Sequence, residues 1–387
     1  MQNRKSNTGY RKGNQNQNNR RKPGGCAGFS FAGKKSGGFS GKRRSRRSST
    51  ASRAKRNGGG DKLSGLLILL VVFAICVAGG RDMAAGLWNS VTDAMSGAWN
   101  GLQSAQAEYS EHQQTSFDEK NPGRLEVHYM DVGQGDATLV LCDGHALLID
   151  AGDNSKGTAV QNYLRKQGIK HLDYVIGTHP DADHIGGLDV VITKFECDMV
   201  MMPEFEKDNN TYRDVMEALS YRNMEKTVPQ PGDSFMLGRA CFTVIAPLKE
   251  YRDANNNSIS IVLQNGQNRF LFTGDAEEEA ETDILESGAV IKADVFQAGH
   301  HGSSTSNSEK FLRAVSPEYV VISCGEDNDY GHPHAQSMNL FREMGSKIYR
   351  TDLQGSIIAY SDGTQIIWNC SPDESWKAGE KRKQTDE

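Results

Sequence analysis

Thr178-His179-Pro180-Asp181-Ala182-Asp183-His184-Ile185-Gly186-Gly187 is the stretch whose reading decides the fold. Two histidines bracket two aspartates, so four potential metal ligands fall within the six residues 179–184. Residues 173–178 before it read as a strand, and the chain from Ile185 reads as a helix start. Ligands on the loop leaving a buried strand are held by a rigid scaffold and stay open to solvent. A polar turn with helix-capping aspartates would explain the acids but does not need the two imidazoles around them.

Upstream, Leu125, Val127 and Tyr129 alternate as in a strand, and Asp131-Val132-Gly133-Gln134-Gly135-Asp136 makes a glycine-rich turn. Residues 137–142 and 146–150 are two more strands joined by Asp143-Gly144, a hairpin signal. A loop and helix over 152–168 lead to the strand at 172–178. Downstream, strands are expected at 198–202, 241–246, 258–263, 270–273, 294–298 and 319–323, and helices at 210–223, 276–286, 309–315 and 335–344. Short strands close the domain through Ile366-Ile367-Trp368. Strands interleaved with helices imply sheets sandwiched by helices.

Ligand types recur where these strands end. Asp275 ends Phe272-Thr273-Gly274-Asp275, His300 and His301 lie in Gly299-His300-His301-Gly302-Ser303, and His332 and His334 lie in Tyr330-Gly331-His332-Pro333-His334. Four strand-exit loops therefore deliver His or Asp, and they converge if the strands share one pair of packed sheets.

The order H-x-D-x-D-H-x-G-G, with D-V-G-Q-G-D and L-I-D-A-G before it and T-G-D, H-H-G-S and G-H-P-H after it, resembles the metallo-β-lactamase-fold hydrolases. More narrowly, it resembles the hydrolase domain of ComEC-type competence proteins, over residues 124–368. The resemblance implies an α/β fold, an αββα four-layer sandwich, with one or two divalent metal ions (Zn2+ or Mn2+) at one edge. It assigns His179 and Asp181 to the first ion, Asp183 and His184 to the second, and Asp275 between them. His300 or His301 completes the second site. Adjacent side chains cannot both point inward from an extended strand end without a bend, so the choice stays open. Asp150 resembles the acid that supports the ligands from behind.

Two departures from the broader zinc hydrolases stand out. Asp181 occupies a position that is usually His, and no His lies between His184 and Asp275, where Asn256, Asn257 and Ser258 stand. More oxygen ligands favour Mn2+ or Mg2+ at the first site. A bound divalent ion would pull the pKa of water from ~15.7 towards ~7. Asp183 would orient that water and could take its proton. His332 and the spare histidine of the 300–301 pair contact the substrate or protonate the leaving oxygen; loop packing is the other reading for His332 and His334. The resemblance implies a phosphodiester substrate, DNA in particular. Another extracellular phosphodiester, such as a cell-wall polymer, is the rival, and a non-catalytic membrane-anchored binding protein is the alternative of a different class.

The 387-residue composition is not uniform. Residues 1–62 carry 18 Lys and Arg against one acid, a net of +17, whereas residues 63–387 carry 26 against 48, a net of −22. Residues 1–62, almost without aliphatic side chains over their first 60 positions, are expected to be a disordered basic cytoplasmic tail. Residues 63–80 form an uncharged run of 18, at the short end of a membrane-spanning helix. The preceding positive charge puts the N-terminus inside and the hydrolase domain outside the cell membrane. A cleaved signal peptide and a buried soluble helix are the alternatives. Within the stalk and linker of residues 81–122, Trp88, Val91, Met95, Trp99 and Leu102 share one helical face. That 83–102 helix lies on the membrane, pairs with a second copy, or packs on the hydrolase domain. The hydrolase domain is read as 123–370 and the remainder, 371–387, as a polar tail. Seven scattered cysteines without C-x-x-C spacing indicate neither a disulfide framework nor a zinc finger.

Overall fold

Alternation of apolar and polar residues builds two sheets that face one another, and the computed structural model describes residues 124–381. In the first run, β1 (Leu125–Tyr129), β2 (Thr138–Cys142) and β3 (His145–Ile149) are antiparallel neighbours. Helix α1 (Gly157–Lys166) then crosses to β4 (His171–Ile176), parallel to β3. Helices α2 (Ala182–Ile185) and α3 (Leu188–Lys194) cross to β5 (Glu196–Met201), parallel to β4, and α4 (Asn210–Tyr221) covers the same face.

The second run repeats this rhythm. Strands β6 (Ser234–Leu237), β7 (Ala240–Ala246), β8 (Ser260–Asn265) and β9 (Asn268–Phe272) form an antiparallel meander. Helix α5 (Glu278–Ser287), β10 (Val295–Gln297), α6 (Glu309–Val315), β11 (Tyr319–Ile322), α7 (Ala335–Glu343) and β12 (Lys347–Arg350) then extend the sheet in parallel. After the short α8 (Thr351–Gln354), β13 (Ile357–Ser361) and β14 (Ile366–Trp368) return to the first sheet. The strand orders are β14-β13-β1-β2-β3-β4-β5 and β12-β11-β10-β9-β8-β7-β6.

Period-2 alternation sorts the side chains of each sheet. Leu139, Leu148, Val175 and Val200 face α1, α3 and α4 through Val160, Leu164, Leu188, Val191 and Val215. Leu271, Phe296, Val320 and Ile348 face α5, α6 and α7 through Ile284, Phe311, Leu312 and Phe341. The opposite faces meet each other: Tyr129 stacks on Phe272 at 6.2 Å, Tyr174 meets Phe242 edge-on at 5.1 Å, and Thr138 Oγ1 donates to Gln297 Oε1 at 3.1 Å. This is the expected α/β sandwich of two mixed sheets with helices outside.

Residues 371–381 lie against the domain. Asp373 N donates to Ile348 O at 2.7 Å, Arg342 covers the Trp376 ring at 5.2 Å, and Gly379 N donates to Pro333 O at 2.7 Å. The expected tail, membrane segment and stalk at 1–62, 63–80 and 81–122 lie outside the described residues. Among the described residues no helix is long and apolar enough to cross a membrane.

One buried acid ties this frame to the loop after β10. Glu281 on α5 is 1% exposed, and its carboxylate accepts from Asn307 N at 2.7 Å and Ser308 N at 3.0 Å. Those are donors at the start of α6 that no helical carbonyl can take. Asn307 in turn donates to Gly299 O and Ser303 O and accepts from Gly299 N, clamping the loop that carries His300 and His301. Glu281→Ala leaves two buried N–H groups unpaired, so urea unfolding should show a loss of about 2–4 kcal/mol; a loss below about 1 kcal/mol would mean that water replaces the carboxylate.

Candidate metal centre

Strand exits supply the site. The turns after β1, β3, β4, β9, β10 and β11 all open at one edge of the sandwich, at the carboxyl ends of the parallel strands. Close backbone approach holds them together. Asp136 N donates to Asp183 O at 3.1 Å, Ala151 N to His184 O at 2.7 Å and Ile259 N to Thr178 O at 2.9 Å. Gly135 has φ +130, and a Cβ there would stand 2.3 Å from Asp183 O, so this turn admits only glycine.

Asp275 is the focus. His184 Nε2 lies 3.2 Å from its Oδ1, while His179 Nε2, His300 Nε2 and His301 Nε2 lie 3.8, 3.6 and 3.7 Å from its Oδ2. Asp183 Oδ2 stands 3.3 Å from His301 Nε2, at the more open side. His300 and His301 both reach the carboxylate because both are left-handed, φ 51 and 55, which supplies the bend that an extended strand end lacks. His301 is buried and His300 sits at the rim, where its Nδ1 meets Thr305 Oγ1 at 3.1 Å.

Each inner imidazole is held from behind. Asp150 accepts from His184 Nδ1 at 2.9 Å, from Thr178 Oγ1 at 2.7 Å and from Thr178 N at 2.8 Å, and it is fully buried. His179 Nδ1 meets Thr178 Oγ1 at 3.1 Å and Ser258 Oγ at 3.3 Å. His301 Nδ1 donates to Ser323 O at 3.0 Å, with Asp136 Oδ1 at 3.3 Å. These partners fix Nδ1 as the protonated nitrogen and aim Nε2 inward, the arrangement used by metal-ligating histidines.

The inward atoms face charged neighbours at 3.2–3.8 Å but make no aligned hydrogen bond. His179 Nε2, His184 Nε2, His301 Nε2, Asp275 Oδ1 and Asp136 Oδ1 are buried without a hydrogen-bond partner. An orphaned buried polar group costs about 1–3 kcal/mol, so a cluster of them points to a cation. His179, His184 and Asp275 form one group with donor atoms within 4.8 Å of one another; Asp183, His184 and His301 form a second, and Asp136, Asp275 and His301 a third. Imidazole nitrogens and carboxylate oxygens are the donors that Zn2+ and Mn2+ accept, so these residues would hold one or two divalent ions.

Charges balance within the cluster. Burial alone would raise the Asp275 carboxyl, but the facing imidazoles of His184, His301 and His300 hold it well below the usual carboxylate range. Burial likewise opposes charge on His184 and His301, yet Asp275 with Asp150, and Asp275 with Asp136, hold both rings well above the usual imidazole range. His179 is pushed down by burial and by the cationic His184. Burial opposes charge on Asp183 too, and the charged His301 imidazole 3.3 Å away keeps it low.

The other expected residues fall around this centre. Asp181 turns away to Lys207, whose Nζ lies 2.6 Å from its Oδ1, and it belongs to none of the clusters. His332 is buried at the rim, 5.4 Å from the His300 ring and 6.0 Å from the His301 ring, with Gln134 Nε2 at 3.4 Å from its Nδ1. Burial, with the positive charge of His301 and His300 beside it, pushes its pKa down to about 3. His334 spends its nitrogens on the loop, accepting from Ser304 N at 2.9 Å and facing Tyr330 O at 3.3 Å. Asn256 and Asn257 tie backbone: Asn256 Oδ1 accepts from Glu277 N and Ala280 N, and Asn257 Nδ2 donates to Tyr251 O and Asp253 O. Asp136 was not singled out from sequence. Its signal was the glycine pair before it, which lets the turn lie against Asp183.

The comparisons with known proteins agree with this geometry. The family model for the metallo-beta-lactamase superfamily matches residues 130–326. ComE operon protein 3 of Bacillus subtilis is 30% identical over 251 residues, covering 60% of this chain and 32% of that protein. Recombination protein 2 of Haemophilus influenzae is 30% identical over 238 residues, covering 60% and 28%. Competence protein ComA of Neisseria gonorrhoeae is 33% identical over 237 residues, covering 60% and 31%. The chain thus spans about a third of the length of these relatives. The chain belongs to the metallo-β-lactamase superfamily, and these three relatives are ComEC-type competence proteins.

Proposed function

We propose that the chain is a metal-dependent phosphodiesterase acting on DNA, anchored by residues 63–80 with its hydrolase domain outside the cell. The observation that carries the reading is the convergence of three unpartnered imidazole nitrogens on the buried Asp275 carboxylate. His179, His184, Asp275, Asp183 and His301 are the residues that hold divalent ions in this reading. The ions supply Lewis acidity to a phosphoryl oxygen and a lower pKa to water.

The chain's own groups do the rest. Asp183, anionic at neutral pH and 31% exposed, faces the mouth and can accept a proton from water oriented there. His332, neutral because of its low pKa, is a poor acid; with Gln134 at its Nδ1 it serves as a contact for the substrate. Ser258 and Thr178 keep the His179 ring from rotating. Asp150 holds His184 in the tautomer whose Nε2 points inward. The competence-protein relatives support a DNA substrate. The surplus of acids beyond residue 62 favours weak binding away from the centre, since phosphate contacts usually come from Lys and Arg.

Purified chain with Mn2+ should hydrolyse a bis-aryl phosphodiester, and a comparison of single-stranded DNA, duplex DNA and a teichoic-acid-type polymer should rank DNA first. Metal bound by elemental analysis with no turnover under any divalent ion would end the enzyme reading. Asp183→Asn should lower kcat about 10²–10⁴-fold, and a fall of less than about tenfold would take Asp183 out of the chemistry. Asp150→Asn should weaken metal affinity about 10–100-fold, read by competition with a chromophoric chelator; unchanged affinity would show that the His184 orientation does not need this acid.

The protons on His184 and His301 must leave when an ion binds. Both rings have raised pKa values, so they are protonated at neutral pH, and the competition grows as pH falls. Apparent metal affinity should therefore decline steadily from pH 8 to pH 6. Calorimetric heats at pH 7 should differ between buffers of different ionisation enthalpy; equal heats would mean that no proton is released.

A further inference from the structure

We infer that Lys207, together with Lys156, forms a subsite for the backbone phosphates on either side of the bond being cut; this rests on the phosphodiester reading above. Lys207 sits on the loop between β5 and α4, which is bonded to the Pro180–Asp181 turn beside the centre. Asn209 fastens that loop: its Nδ2 donates to Pro180 O at 3.4 Å, and its Oδ1 accepts from Tyr212 N at 2.7 Å to cap α4. Lys207 Nζ lies 2.6 Å from Asp181 Oδ1, midway along the chain between His179 and Asp183. Its side chain is 41% exposed, so the ammonium faces solvent as well as Asp181. One of its three N–H donors serves Asp181, which leaves two for an incoming anion.

Lys156 stands on the adjoining flank. Its Nζ is 3.5 Å from where a Cβ on Gly133 would be, one residue from Gln134, whose amide reaches His332. Lys156 has no ion-pair partner among the described residues. The Gly133–Asp136 turn and the Asp181–Asp183 turn are bonded to each other through Asp136 N and Asp183 O, so the two lysines share one rim.

Charge gives that rim its purpose. Residues 63–387 carry a net of −22, and Asp181, Asp183 and Glu277 border the mouth. A polyanion is repelled there unless cations meet the phosphates next to the one at the centre. Lys207 also neutralises Asp181, which removes one of those repelling carboxylates from the approach. A substrate with a single phosphodiester group has no use for such a subsite, whereas a nucleic acid strand does.

The test is lysine footprinting of the full chain by mass spectrometry. Acylation rates of individual lysines are measured with and without a phosphorothioate-linked tetranucleotide, and with bis-aryl phosphodiester as the small control. Lys170 is exposed just before β4, at the end of the strand remote from the centre, and serves as the reference. The tetranucleotide should slow acylation of Lys207 and Lys156 about fivefold relative to Lys170, and the small diester should not. Unchanged rates at Lys207, or equal slowing at all three lysines, overturn the subsite. Hydrolysis of the small diester without protection of Lys207 sinks the subsite alone. Protection of both lysines without hydrolysis upholds the subsite and sinks the phosphodiesterase reading.

Discussion

A carboxylate buried among imidazoles is the constraint on which this structure depends. Asp275 is 3% exposed and has four histidine nitrogens within 3.2–3.8 Å. A buried charge of this kind costs several kcal/mol unless opposite charge faces it. His184 and His301 provide that charge as protons, and a divalent ion would provide it more compactly. The partners behind the rings, Asp150, Ser258, Thr178 and the Ser323 carbonyl, all act to keep lone pairs pointed at the same spot.

Holding six turns against one another at that spot requires both sheets. The parallel strands β3, β4, β10 and β11 end at the same level, so their exits meet without long excursions. Small residues then let backbone touch backbone. Gly135 lies against Asp183 O, and a Cβ on Gly187 would stand 2.4 Å from Ala151 O. The His300–His301 turn is the exception that needs external support, since two successive left-handed residues are strained. The Asn307 clamp and Glu281 behind it provide that support from α5 and α6.

Much of this was legible in the sequence because its signals are local. The strands around the Asp143-Gly144 hairpin, the helix at Glu309–Val315 and the succession of ligands at strand exits all follow from neighbours in the chain. What was not legible depends on residues far apart. The Asp181–Lys207 pair joins positions on different loops, so spacing within H-x-D-x-D-H says nothing of it. Asp136 becomes part of the centre only when its turn meets His301. Strands β6 and β12, of four residues each, are edge strands too short for alternation to stand out. Residues 371–381 read as a polar tail because their anchors are backbone bonds and one tryptophan under Arg342.

The most direct measurement of the central claim is anomalous diffraction from crystals of the chain grown with Mn2+. An anomalous peak is expected among His179 Nε2, His184 Nε2 and the Asp275 carboxylate, with any second peak beside Asp183 and His301. Crystals that bind manganese only elsewhere, with these five side chains still facing one another unbridged, would contradict it.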